Sequence, residues 1–231
     1  MTDISRIIQQ KLARLEQPEK ARWLENYVKH DIKSRGVGIP DIRKVVIEVN
    51  REYKLSAEPF TNRAKVLNEL IHSAYTEDKL AAILFLQLYG NDTEDRAVLA
   101  LIAGWFAQEQ IADWNVCDWM CVRILTPMVD NRSGLMTEEM KSWNKSTNLW
   151  QARASLVPFA QSKTLRQHRE VIASLAAVLI KREERFCKTA VGWVLREYSK
   201  IDQKFVKDFL SRHEDWLTKE VIRNATRYMK Q

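Results

Sequence analysis

In the segment "IADWNVCDWMC", residues 111–121, the carboxylate of Asp118 stands four residues after one indole and directly before another. Residues three or four apart share one face of a helix, so Trp114 and Asp118 project together. Trp150 and Arg153, and likewise Trp193 and Arg196, are three apart, which gives three segments an aromatic plane beside a charge. The plain alternative is an indole in the core with its charged neighbour in solvent, and for any one of the eight tryptophans that is the first expectation. It suits Asp118 badly. A helix-interior carboxylate flanked by Cys117 and Trp119, with Met120 and Cys121 following, is costly to bury unless it is paired or lines a cavity. Arg123 is five residues on and poorly placed to pair along the helix, which leaves Arg153 or a cationic ligand. Indole faces attract cations by about 0.5–2 kcal/mol, and a carboxylate does so more strongly over short distances.

Charge along the chain adds a second demand. The net charge is +7 and the isoelectric point about 9.3. Residues 1–162 carry 21 basic and 21 acidic side chains, whereas residues 163–231 carry 16 and 9, so the whole excess lies in the last third. Its densest part, 163–200, holds nine basic residues against four acidic ones. Solvated helix faces would explain such a run about as well as a localised phosphate-binding surface does. A basic rim repels free cations while a carboxylate between indoles attracts them. A ligand that is polyanionic overall but locally positive meets both conditions, and alkylated DNA is such a ligand.

The elements that must position these groups read as helices. Six glycines and five prolines are sparse punctuation for 231 residues, and no alternating β-branched run ends in tight-turn chemistry. Amphipathic runs fall at roughly 3–16, 19–34, 40–54, 61–73, 77–89, 93–110, 114–129, 135–143, 147–160, 164–180, 183–199, 203–212 and 216–229. Breaks fall at "SRGVGIP", "YGNDTED", "VDNRSG" and "SKIDQ"; Pro40 suits a first helical turn, and "TED" at 76–78 and "STN" at 146–148 offer N-cap side chains. The spacings Trp114 to Trp150 and Trp150 to Trp193, 36 and 43 residues, approach the roughly 40–47-residue period of HEAT-like units. The expectation is an all-α, superhelical array of HEAT-like repeats (an α-α solenoid) forming a single domain over 1–231, with recurrent aromatics facing a common groove.

Other chemistries find little support. Cys117, Cys121 and Cys187 have neither a disulfide framework nor metal-ligand spacing and suit apolar packing in a reducing compartment. His30, His72, His168 and His213 lie far apart in sequence and read as ordinary surface or capping residues, not metal ligands. There is no glycine-rich phosphate loop, and no lysine stands out as a nucleophile. No stretch has the apolar length of a signal peptide or a membrane span, and a cytoplasmic location is expected.

At this level the chain resembles the DNA alkylation repair family of AlkD-like glycosylases over nearly its whole length. The resemblance rests on "NYVKHDIKSRGVGIPDIRK" at 26–44, "WNVCD" at 114–118, "TNLWQAR" at 147–153 and, most specifically, "KTAVGWVLREYSK" at 188–200. It implies a superhelix whose concave face holds duplex DNA, and removal of N3- and N7-alkylated purines without a cofactor or metal. By the same resemblance Trp114 and Trp193 contact the lesion's deoxyribose, Asp118 is the catalytic carboxylate, Arg153 the active-site arginine and Arg196 a backbone contact. Tyr27 lies in the matching N-terminal segment. Trp150, Lys163, Arg166, Arg169 and Lys188 join Arg196 as DNA-contacting candidates, and the protein is expected to act as a monomer. The chain departs from the family pattern at "VRILTPMVDNRSGLM" and at "IP". The competing reading is a non-catalytic HEAT-like module that binds unusual DNA structures, for which a carboxylate among phosphates has no use.

Overall fold

The computed structural model describes residues 3–29 and 32–229; His30 and Asp31, which the sequence reading touched, lie outside them. Every regular element among the described residues is helical, and the one extended pairing is an isolated bridge between Lys33 and Tyr75. The all-α expectation holds. The chain divides into two compact units, Met1–Arg123 and Ile124–Gln231.

The first unit contains α1 (Asp3–Ala13), α2 (Pro18–Val28), α3 (Ile39–Tyr53), α4 (Phe60–Ile71), α5 (Thr76–Tyr89), α6 (Asp95–Ala107) and α7 (Trp114–Met120). Helix α5 is its axis: the stretch from Leu80 to Leu86 is buried on all sides, against α1, α3, α4 and α7. Pro40 sits in the first turn of α3, as its missing N–H allows. The helix read at 19–34 instead stops at Val28, where Lys29 adopts a left-handed conformation (φ 56°). Residues 32–38 form no helix, and the Arg35 carbonyl accepts a bond from Gln17 N at 2.8 Å.

That loop is clamped by the start of α5. Glu77, buried at the start of α5, accepts from Ser34 Oγ at 2.7 Å, Arg35 N at 2.9 Å and Val37 N at 3.2 Å. Arg35 pairs with buried Asp78 at 3.2 Å and with Glu16 at 2.7 Å, its guanidinium lying 3.7 Å from the centre of the Tyr75 ring. The segment "TED" therefore does not cap α5 through its side chains; the burial that a cap would not need is used to hold a loop. "STN" behaves as expected: Asn148 Oδ1 accepts from Trp150 N and Gln151 N at 2.9 and 3.0 Å.

The second unit contains α8 (Thr126–Asn131), α9 (Ser133–Trp143), α10 (Leu149–Ala154), α11 (Arg169–Leu179), α12 (Arg185–Tyr198), α13 (Gln203–Arg212) and α14 (Lys219–Ala225). Its core is built on α12, whose Ala190, Val191, Val194 and Leu195 are fully buried and which packs on α10, α11, α13 and α14. Gly192 permits the close approach of α14: a Cβ there would meet Asn224 Cβ at 3.3 Å. Two expected long helices are interrupted. A π-helical turn occupies Cys121–Leu125, ahead of Pro127, which lacks the N–H that would bond Arg123 O. Similarly α10 ends at Ala154, four residues before Pro158, and a 3-10 turn follows at Val157–Gln161. All three cysteines are buried, as packing residues should be, and burial pushes the Cys187 thiol up to about 11.

Candidate nucleic-acid interface and active site

Helix α7 carries the pair that opened the sequence reading. Its N-cap is Asp113, a buried residue whose carboxylate accepts from Val116 N at 2.9 Å. The sequence reading left this second aspartate of the stretch unassigned, although an aspartate just ahead of a helical run is a cap signal. The cap fixes where the first turn begins, and Trp114 and Asp118 follow on one face, both half-buried. The Arg123 guanidinium sits 4.7 Å from the Trp119 ring centre.

Trp114 is anchored twice. Its Nε1 donates to Val28 O at 3.1 Å, and its ring meets the edge of Tyr27 with centroids 5.5 Å apart. Tyr27 in turn stacks on Trp23 at 5.1 Å and 7° between planes. The N-terminal segment and α7 thus form one aromatic ladder, in which Tyr27 joins Trp23 to Trp114. Trp23 lies outside the three segments the sequence reading singled out, although Lys20 stands three residues before it.

A cavity of about 330 Å³ lies behind the start of α7, with Ser73, Lys79, Gln110 and Asp113 among its lining residues. Burial lowers the Lys79 pKa, against the opposing charge of Asp113. Its ammonium is nevertheless spent on the carbonyls of Ile71 and Gln110, so it ties α4 to the segment before α7 and is not presented as a nucleophile.

In the second unit the expected residues divide by environment. Trp193, on α12, is half-buried. Trp150 is 7% exposed and packs on Phe186 with centroids 5.1 Å apart, so it is a core residue and not a surface offered to a ligand. The three periodic indoles are therefore not equivalent. Arg153 is 5% exposed; its Nη1 donates to Phe186 O at 2.7 Å and Thr189 Oγ1 at 3.2 Å, at the first turn of α12. Arg196 pairs with Glu197 at 2.8 Å and donates to Asn224 at 3.3 Å. Lys188 donates to Trp216 O at 2.8 Å.

Lys163, Arg166 and Arg169 are exposed and recur every three residues in a row along the sequence, Arg166 in the 3-10 turn Leu165–His168, Lys163 just before it and Arg169 at the start of α11. Asp130 fixes the start of that row, accepting from Ser162 Oγ at 2.6 Å, Thr164 Oγ1 at 3.0 Å and Lys163 N at 3.3 Å. His168 is not at the surface: it is buried and its Nε2 lies 3.0 Å from Thr164 Oγ1. His213 bonds the Phe209 carbonyl at 2.9 Å and His72 that of Asn68 at 2.6 Å, both at helix ends. Among the described residues no cluster of His, Cys, Asp or Glu is arranged to hold a metal, and no helix is long and apolar enough to cross a membrane.

Comparison with known proteins agrees on the fold. A predicted DNA alkylation repair enzyme from Enterococcus faecalis superposes with a TM-score of 0.80 at 19% identity, covering 94% of this chain and 97% of its own. AlkD2 from Streptococcus mutans does so with a TM-score of 0.62 at 16% identity, covering 97% and 100%. Both likenesses support the helical-repeat architecture. No curated protein matches the sequence. The model of the DNA alkylation repair enzyme family matches residues 8–229, nearly the whole chain, and the protein belongs to that family.

Proposed function

We propose that the protein is a monofunctional DNA glycosylase that hydrolyses the N-glycosidic bond of N3- or N7-alkylated purines in duplex DNA. The whole chain would act as one HEAT-like domain, as a monomer, in the cytoplasm and on the nucleoid. The observation that carries this reading is the placement of Asp118 one turn beyond Trp114, half-buried on an indole face that is itself fixed by Val28 and Tyr27.

Departure of a purine leaves an oxocarbenium-like sugar, so positive charge grows on the deoxyribose as the bond breaks. An alkylated purine is already cationic and leaves neutral, and a general acid on the leaving group is unnecessary. Asp118 stabilises the sugar cation and orients or deprotonates the attacking water. Trp114 holds the sugar and adds cation–π stabilisation as charge develops. By the family resemblance Trp193 is proposed for the same role and Arg153, whose Nη1 donates to Phe186 O, as the active-site arginine. The exposed row Lys163, Arg166 and Arg169 supports the reading of a phosphate surface that positions DNA without reading sequence. Arg196 and Lys188 already make protein contacts and would add to that surface secondarily.

The decisive experiment pairs wild type with Asp118→Asn on methylated DNA. Wild type releases 7-methylguanine or 3-methyladenine; the variant loses at least about a hundredfold in rate, the scale of one preorganised electrostatic group, while binding within about twofold of wild type. If both proteins bind and neither releases base, the module is a non-catalytic DNA binder.

A further inference from the structure

The outer end of the aromatic ladder has no role in the chemistry just described. Trp23 is 63% exposed and Tyr27 55% exposed, on the same face of α2 and in parallel contact. Large aromatic side chains left in water forgo the free energy of burial, and two of them side by side make an apolar patch that a monomer has no structural reason to keep. Nothing about α2 demands it: the helix is already anchored through Ala21 and Val28. The ladder is also rigid at its inner end, since Tyr27 abuts Trp114 and the Trp114 nitrogen is bonded to the last residue of α2.

We infer that Trp23 is a stacking plate for an unpaired nucleobase of the bound DNA, a second contact on the strand beside the damaged nucleotide. The inference rests on the reading that α7 meets damaged DNA. Bases inside a duplex have both faces covered by neighbours, so only a base that has lost its partner or neighbour can use a protein ring; such a base gains a stacking contact that is indifferent to its identity. The surroundings suit a nucleotide better than an apolar peptide. Lys20, Arg22 and Lys29 are exposed on and beside α2, as is the carboxylate Glu19; of the other carboxylates there, Glu16 pairs with Arg35 at 2.7 Å and Glu25 is engaged with Ser34 N at 2.9 Å. Ring faces bordered by cations match a base attached to its phosphate.

The test uses the full chain and two duplexes: one fully paired, and one carrying an abasic-site analogue opposite 2-aminopurine. Wild type binds the second more tightly and quenches 2-aminopurine fluorescence. Trp23→Ala loses at least about fivefold of that preference, as removal of one base–aromatic stack should, restores the fluorescence, and binds the paired duplex as wild type does. Trp23→Phe keeps a ring and retains most of the preference, which separates loss of stacking from misfolding. The inference is overturned if wild type shows no preference, if Trp23→Ala keeps it, or if affinity falls equally on both duplexes. A dimer of wild type that Trp23→Ala abolishes in sedimentation would give the face to a second copy and also sink it. Base release is not measured here, so a protein that lacks glycosylase activity but shows the Trp23-dependent preference would separate this inference from the catalytic one.

Discussion

The indole nitrogen of Trp114 donates across 3.1 Å to the carbonyl of Val28, a residue 86 positions earlier in the chain. Val28 closes α2, and helix-end carbonyls have no partner within their own helix. One side chain thereby satisfies the last carbonyl of α2 and ties α7 to it. Trp114→Phe keeps an aromatic ring and removes the donor. Its expected cost is about 1 kcal/mol, the net worth of an ordinary hydrogen bond, read as a lower urea midpoint with unchanged slope. Base release should fall further than stability does, because the ring would no longer be held in register with Asp118.

Gly36 adopts φ 71°, and a Cβ there would sit 2.3 Å from Gln17 O and 2.6 Å from Ala21 N. Both obstacles are backbone and cannot swing aside. Gly36→Ala should therefore destabilise the protein by well over ~1 kcal/mol, whereas Gly38→Ala, whose Cβ would meet only Pro40 Cδ at 3.6 Å, should be nearly neutral. Parallel denaturation curves of the two variants check the contrast.

The row Lys163, Arg166 and Arg169 should act additively on DNA through counterion release. Each change to glutamine is expected to reduce the slope of log Kd against log salt by about one unit. Lys188→Gln should change the slope less, because its ammonium is bonded to Trp216 O. Titrations of an undamaged duplex at several salt concentrations measure both.

Acid should loosen the base of that row in two stages. Burial lowers the His168 pKa although Asp130 opposes the shift, so the folded protein resists a proton that the unfolded chain accepts. Stability then declines as pH falls below about 6.5, the unfolded value of histidine. Burial works against charge on Asp130, but the bonds from Ser162, Lys163 and Thr164 outweigh it and its pKa lies below the ordinary value. That contribution is fully present above about 3.9 and disappears as pH drops through the lower folded value. His168→Gln should flatten the pH–stability curve between pH 7 and 5. The deficit of Asp130→Asn should vanish in strong acid.

Much of this arrangement was legible in the chain before any coordinates. The 3.6-residue period carried the helices, and Pro40 and Asn148 marked starts correctly. What failed depended on partners distant in sequence. "TED" has the composition of a cap, and only burial against residues 34–37 turns it into a clamp. Trp150 shares spacing with Trp114 and Trp193, yet periodicity cannot say that Phe186 will cover it. The helix read at 114–129 contained Pro127, whose effect on the preceding turn was underweighted, and the π turn at Cys121–Leu125 followed. Trp23 has a charged neighbour at helical spacing, as most surface positions do, and its position becomes informative only beside Tyr27.

The buried thiols carry a last consequence. Electrophiles that methylate purines also attack sulfur, and they do so through the thiolate. Cys117, Cys121 and Cys187 are walled off from solvent, and Cys187 keeps its proton far above neutral pH. A protein with this interior exposes no cysteine thiolate to methylating agents, and so keeps that part of its chemistry intact in the conditions that damage DNA.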